Sequence, residues 1–587
     1  TATFLIRMED VTERFKGKTE DERDALLIEL KKEYGEGNEY KIAVEDFFQG
    51  NQKVIFVYEI FKDIRLVGAP PSSVGKFGGD TDNWMWPRHT GDFSLFRVYM
   101  SKDGKPAEYS KENVPYHPRK YLSVSTAGIK KNDFAMVMGY PGRTERYMSS
   151  YGVEMTYSQS NPSRIKIREK RLALMKEDMD ADRNVRIQYA SKYARVSNYY
   201  KYFIGQNQGF KRLNIIRDKQ IEEDSFYVWT QTLDSIRKEE YEDVLNSYAG
   251  IYTDYKKINL PNIYKEEAAL SGTEILSFAY KSNKLYTLLK ENQDTDAAKA
   301  ALLAYSETYF KDYNKKTDQK IFAALLSMYY ADIDPALHPS IFRTVEKKYK
   351  KDFNKYAAAV FSKSMFANKA LFDAFIILPT AAALQKDPGF ICMISILNDN
   401  NTLLGPALND VQTRLKSANT TYLKGILEMH QSEILYPDAN FTMRLTYGTV
   451  QDYYPRDAVY YNYYTTLEGV IEKADSTNDE FIVPKKLEQL YADKSYGDYA
   501  DKDGKLPVCF ITTNDITGGN SGSPVLNASG ELIGVAFDGN WEAMSGNVIY
   551  EPALQRCICV DIRYVLFMID AYAGAGHLVK EMTVVKE

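Results

Sequence analysis

Gly518-Gly519-Asn520-Ser521-Gly522-Ser523-Pro524 lies between two runs of strand character, 508–513 and 531–537. A strand, a glycine-rich turn carrying one serine, and a second strand place a hydroxyl at the edge of a β structure. Glycines reach the positive φ angles of a tight turn and leave nearby backbone N–H groups uncovered. The N–H groups of Gly519 and Ser521 are therefore candidates for an oxyanion hole, with Ser521 as nucleophile. An ordinary hairpin would use the same residue types, since Gly, Ser and Asn are common in turns. The order and spacing of Gly-Asn-Ser-Gly-Ser-Pro favour the nucleophile.

The length, 587 residues, predicts more than one domain. Basic and acidic side chains nearly balance, 75 against 80, so nothing points to a nucleic-acid surface. No continuous apolar stretch suggests a membrane span. Four cysteines, Cys392, Cys509, Cys557 and Cys559, are too few and too irregular for a disulfide framework or a zinc site. Cys557 and Cys559 read instead as strand residues on one face, because side chains alternate with period two. The 46 tyrosines suit amphipathic surfaces and peptide clefts. The sequence opens at Thr1 directly into a strand-like run, 3–8, with no methionine or signal peptide, so a preceding segment is expected.

Residues 1–155 read mainly as β, with short runs at 53–59, 64–69, 93–100 and 134–138 separated by Gly, Pro and Asp-Gly turns. Residues 20–34 are the exception, charged with leucines at helical spacing. From 156 to 437 the pattern becomes helical. No proline occurs between Pro162 and Pro261, and Ala, Leu, Lys and Glu dominate. From 438 to 587 β character returns around Ser521, and 562–572 is an apolar run of helical length. The two β parts are expected to form one catalytic domain carrying the helices as an insertion.

A serine hydroxyl needs a base to take its proton and an acid to orient that base. The candidate acid is Asp92, in Trp86-Pro87-Arg88-His89-Thr90-Gly91-Asp92, between a loop and a strand. Five histidines are present, His89, His117, His338, His430 and His577, and only His89 precedes Asp92. Three residues from Asp92 in one turn, it is poorly placed to pair with the acid and reach Ser521, so it reads as structural. The base is therefore expected upstream of Thr1. Asp80-x-Asp82-Asn83 lacks the central glycine and distal glutamate of a calcium loop, and no metal or other cofactor is expected.

The serine motif resembles that of chymotrypsin-type peptidases, where the chain order is His, Asp, Ser. With Gly78-Gly79-Asp80-Thr81-Asp82-Asn83-Trp84, His89-Thr90-Gly91-Asp92 and Phe537-Asp538-Gly539-Asn540-Trp541-Glu542-Ala543-Met544, the chain resembles, over its whole length, the bacterial exopeptidase family of dipeptidyl peptidases seven and eleven. The resemblance implies a chymotrypsin-like double β-barrel with a large inserted α-helical domain capping the cleft. It implies Asp92 as triad acid, Ser521 as nucleophile, and a catalytic histidine in an Asn-His-His-Cys segment absent from this sequence. It also implies that Asn83, Trp84, Asn198 and Asp538 hold the substrate's free α-amino group. Fixing an ammonium two residues from the scissile bond makes a dipeptide cutter. Members like dipeptidyl peptidase eleven carry arginine at the place of Gly539, pairing with acidic second residues. Glycine leaves no charge and more room, predicting an apolar or aromatic second residue.

The expected function is a serine exopeptidase releasing dipeptides from oligopeptides, in an incomplete form without its base. The alternatives are an acidic-residue-specific dipeptidyl peptidase, a trypsin-like endopeptidase, and a catalytically silent peptide-binding fragment. The family resemblance further implies a homodimer and a periplasmic or cell-surface location in a Gram-negative bacterium.

Overall fold

The computed structural model describes residues 1–35 and 39–586; Glu587, the last residue of the expected third segment, lies outside them. The fold is mixed α/β, with helices and several sheets. The chain divides into two compact units, one of Thr1–Met148 with Asn419–Glu587 and one of Ser149–Ala418. These bounds differ from the 156 and 437 read from the sequence. Helix Ser150–Met155 starts early because Ser149 caps it, accepting from Gly152 N, and helix Gly405–Met429 carries the chain back into the first unit.

In the first unit the strands are β1 Ala2–Asp10, β2 Lys41–Phe47, β3 Gln52–Phe61, β4 Asp63–Gly68, β5 Leu95–Met100, β6 Val114–Pro115, β7 Val124–Ser125 and β8 Phe134–Gly139. After the second unit come β9 Arg444–Thr449, β10 Tyr453–Arg456, β11 Val459–Tyr461, β12 Tyr464–Thr466, β13 Pro507–Thr512, β14 Pro524–Leu526, β15 Leu532–Gly539, β16 Cys557–Asp561 and β17 Val584–Val585. β1-β3-β2 and β4-β5-β6 are separate three-stranded antiparallel sheets. Helix Glu20–Gly35 packs Leu26 and Leu30, one turn apart, with Ile55 of the first sheet and with Val11 and Phe15 just after β1.

The largest sheet runs β12-β13-β16-β15-β14-β8-β9. Its far edge returns: Val450, just after β9, bridges Thr512 of β13, so six strands form a ring. The ring is filled by Ala135, Val137, Val450, Phe510, Val525, Ile533, Ala536, Cys557 and Cys559. All six residues of β13 are buried, as befits a strand covered on both faces. Cys557 and Cys559 do share a face, both thiols unoxidised and 3.6 Å apart. Helix Ile562–Phe567 and the π-turn Met568–Tyr572 follow at once and bury their apolar side chains against β13 and β16.

The second unit is helical throughout. Pro162 sits in the first turn of helix Asn161–Ala181, where its missing N–H costs nothing, and Asp182 caps the next helix, Arg183–Arg212. The tyrosines serve the interior more than the sequence reading allowed. Tyr189, Tyr241, Tyr248, Tyr264, Tyr329 and Tyr564 are among the largest fully buried side chains. Tyr264 donates to Asp332, Tyr329 to Asn400 at 3.2 Å and Tyr309 to the Phe366 carbonyl at 3.0 Å, so each hydroxyl is satisfied.

Candidate active site

The turn between β13 and β14 is braced from within. Asn520, 3% exposed, donates through its backbone N–H to Thr517 O at 3.1 Å and through its side chain at 3.2 Å. Ser523 N donates to Asn520 O at 2.9 Å, and Gly522 N to Ala536 O at 2.8 Å. Gly519 has φ of +107°, and a Cβ there would overlap the carbonyl oxygen of Tyr140. Only glycine fits that position. Ser521 is exposed, and its Oγ donates to the carbonyl of Phe537 in β15 at 3.1 Å. Among the described residues the N–H groups of Gly519 and Ser521 make no hydrogen bond, which leaves both open to an oxyanion.

Asp538 follows Phe537 on the same strand. Its Oδ2 accepts from Arg88 Nη1 at 2.7 Å and from Trp84 N at 3.2 Å, and its Oδ1 accepts from Gly539 N at 2.9 Å. An ionised carboxylate has about four acceptor positions, so one remains on Oδ1. Trp84 is held with φ of +65°, a costly angle for a bulky residue, and its backbone bond to Asp538 is one of the constraints fixing it there. Asn83, half-buried beside it, donates its backbone N–H to Asp80 O at 3.3 Å. Gly539 is buried, and a Cβ there would stand 3.3 Å from Ala543 Cβ and 3.5 Å from Trp84 Cζ3.

Arg88 organises this corner, a role the sequence reading did not give it. Beyond Asp538 it donates through Nη1 to Asp82 O at 2.8 Å and through Nε to Thr90 Oγ1 at 2.7 Å, while its guanidinium lies 5.1 Å from the Phe537 ring centroid. Asp92 is exposed, yet nearby protein atoms desolvate its carboxyl and raise its pKa. The Asp538 charge adds to this, and Arg88 and Lys76 oppose it.

His89 is buried against Gly469, with Nδ1 lacking any hydrogen-bond partner among the described residues. Burial first, then the Lys473 and Arg88 charges, lower its pKa to about 3, so it is a neutral packing group. His117 and His577 are exposed, and His430 bonds Glu433 at 3.0 Å. Among the described residues no histidine hydrogen-bonds to Ser521 or Asp92. Asn198 is half-buried on helix Arg183–Arg212 of the second unit.

The sequence model of the peptidase S46 family matches residues 1–584. Dipeptidyl-peptidase 7 of Porphyromonas gingivalis is 43% identical over 597 residues, covering 99% of this chain and 82% of the relative. An Asp/Glu-specific dipeptidyl-peptidase of Flavobacterium psychrophilum is 40% identical over 601 residues, again covering 99% and 82%. The crystal structure of Porphyromonas endodontalis DPP11 in complex with the dipeptide Arg-Glu superposes with a TM-score of 0.88 at 34% identity, covering 99% of this chain and 85% of that one.

Proposed function

The chain belongs to the peptidase S46 family, and from that premise we propose that it is a serine exopeptidase releasing dipeptides from the free N-terminus of oligopeptides. One observation carries the reading. The hydroxyl of Ser521 is tied to Phe537, and the carboxylate suited to an α-ammonium belongs to the next residue, Asp538. Successive strand residues advance about 3.3 Å, and a two-residue peptide spans only about 7 Å, so nucleophile and ammonium acceptor stand within a dipeptide's reach.

In this mechanism Asp538 Oδ1 takes the substrate ammonium, with Asn83 and Trp84 beside it completing its binding. Ser521 Oγ gives its proton to a base and attacks the carbonyl carbon of the second residue. The oxyanion accepts hydrogen bonds from the N–H groups of Gly519 and Ser521. The protonated base then gives its proton to the leaving amine, the peptide bond breaks, and a dipeptidyl ester remains on Ser521. Water, deprotonated by the same base, hydrolyses that ester. Asp92 orients the base.

The strand ring around Ser521 is the second barrel of a chymotrypsin-like pair, and the sheets of β1 to β6 contribute to the first. The helical unit is an insertion in sequence between the two parts of the first unit. At the second substrate residue Gly539 brings no charge, which favours apolar or aromatic side chains. Asp/Glu specificity is the second reading, because a relative of similar identity carries it in its name. The enzyme works as a periplasmic or surface-associated homodimer. Mass spectrometry of a defined decapeptide tests the main reading: stepwise loss of N-terminal dipeptides is expected, and internal cleavage overturns it.

A further inference from the structure

The loop 78–84, which carries Asn83 and Trp84, is gripped by a segment some 400 residues later in the chain. Glu480 lies against its glycine turn. Oε1 accepts from Asp80 N at 2.8 Å, and Oε2 accepts from Thr81 N at 3.3 Å and Thr81 Oγ1 at 2.6 Å. The backbone joins in, since Gly78 N donates to Glu480 O at 2.8 Å. Gly78 and Gly79 have φ of +89° and +46°, Gly79 N donates to Lys76 O at 2.9 Å, and the turn presents the successive N–H groups of Asp80 and Thr81 to the carboxylate as a concave nest. A Cβ on Gly79 would occupy the space Glu480 fills. Hydrogen bonds to an ionised carboxylate are roughly twice as strong as neutral ones, so this contact fixes the loop firmly.

Two further contacts set the direction of the loop beyond the nest. Lys473 Nζ meets Asp82 Oδ2 at 2.8 Å and the Pro87 carbonyl at 3.1 Å. Phe77 and Phe481 pack edge to face with centroids 5.6 Å apart, so the two segments stay docked by apolar contact as well. From Asp82 the chain passes directly to Asn83 and to Trp84, whose N–H reaches Asp538.

We propose that Glu480 is a positioning residue for recognition of the substrate's α-amino group: its carboxylate shapes the 78–81 nest and thereby sets Asn83 and Trp84 against Asp538. This inference rests on the exopeptidase reading above. Glu480 does not touch substrate; it selects by holding those that do. The strap also explains why a loop with two positive-φ glycines keeps one shape, and why Trp84 is kept at an angle it would not adopt alone.

Calorimetric binding of Met-Leu and of N-acetyl-Met-Leu to the full-length protein tests this. The unaltered protein is expected to bind the free dipeptide at least about tenfold more tightly than the acetylated one. Glu480→Ala is expected to weaken Met-Leu about tenfold while leaving N-acetyl-Met-Leu within about twofold, because the Phe77–Phe481 packing survives. Glu480→Gln, which keeps one acceptor, should fall between. Discrimination that persists in a folded Glu480→Ala protein overturns the role of Glu480 alone. Equal binding of both dipeptides by the unaltered protein overturns the ammonium site itself, and the role of Glu480 with it. Should Glu480→Ala fail to fold, Thr81→Val removes one donor from an exposed side chain; a twofold to fivefold selective loss for Met-Leu supports the proposal, and no change overturns it.

Discussion

Arg88 Nη1 lies 2.7 Å from Asp538 Oδ2, with the two side chains only 8% and 10% exposed. A buried pair of this kind is weak evidence of net stabilisation, but removing one partner strands the other charge at a cost of about 3–5 kcal/mol. Arg88→Met is therefore expected to lower the stability of the first unit by that amount in urea denaturation. The double variant Arg88→Met with Asp538→Leu should recover much of the stability and none of the activity. A single variant within about 1 kcal/mol of the unaltered protein contradicts this account of the corner.

Gly519 makes the turn and, in the proposed mechanism, supplies one oxyanion donor. Gly519→Ala places a methyl group against the Tyr140 carbonyl and displaces that N–H. A loss of about 10²–10³ in kcat, with KM little changed, is expected from steady-state kinetics. An unchanged kcat would remove Gly519 from the oxyanion hole.

His89 makes stability sensitive to acid. Its folded pKa, about 3, lies below the usual 6.5, so the proton binds more readily to the unfolded chain. The stabilisation is fully present above about pH 6.5 and is lost as pH falls towards 3, amounting to at most roughly 4–5 kcal/mol. His89→Leu should flatten the fall in urea midpoint between pH 7 and pH 4. An equally steep fall in the variant assigns the acid sensitivity elsewhere.

In the proposed reading Gly539 leaves the second-residue site uncharged. Gly539→Arg is expected to raise kcat/KM for substrates with Asp or Glu at the second position and lower it for Leu. Room for a Cβ exists, since its nearest neighbours would be ordinary or slightly tight contacts with Ala543 and Trp84. Comparing Met-Leu and Leu-Asp reporters with both proteins checks this. A native protein that already prefers Leu-Asp contradicts the apolar reading.

Local patterns encode part of this fold. The strands flanking Ser521, the strand at residues 53–59 and the helix at 20–34 all show in side-chain periodicity, and all are present. The serine turn was legible because Gly519 must be glycine for a local geometric reason. Arg88 and Glu480 were not legible as site residues. Their partners lie 450 and 400 positions away, and a single arginine or glutamate in a loop carries no sign of what it will meet. His89 could be set aside from spacing alone, but its burial against Gly469 depends on a contact 380 residues distant that no spacing reveals. The closure of the sheet at Val450 and Thr512 likewise rests on one bridge between distant segments.

The central claim is tested most directly by hydrolysis of a fluorogenic Met-Leu substrate, with its amino group free or acetylated, by the protein and its Ser521→Ala variant. Rapid release from the free substrate, little from the acetylated one, and none from the Ser521→Ala variant is the predicted result. Comparable cleavage of both substrates, or activity that survives Ser521→Ala, would contradict a serine exopeptidase that measures its cut from the N-terminus.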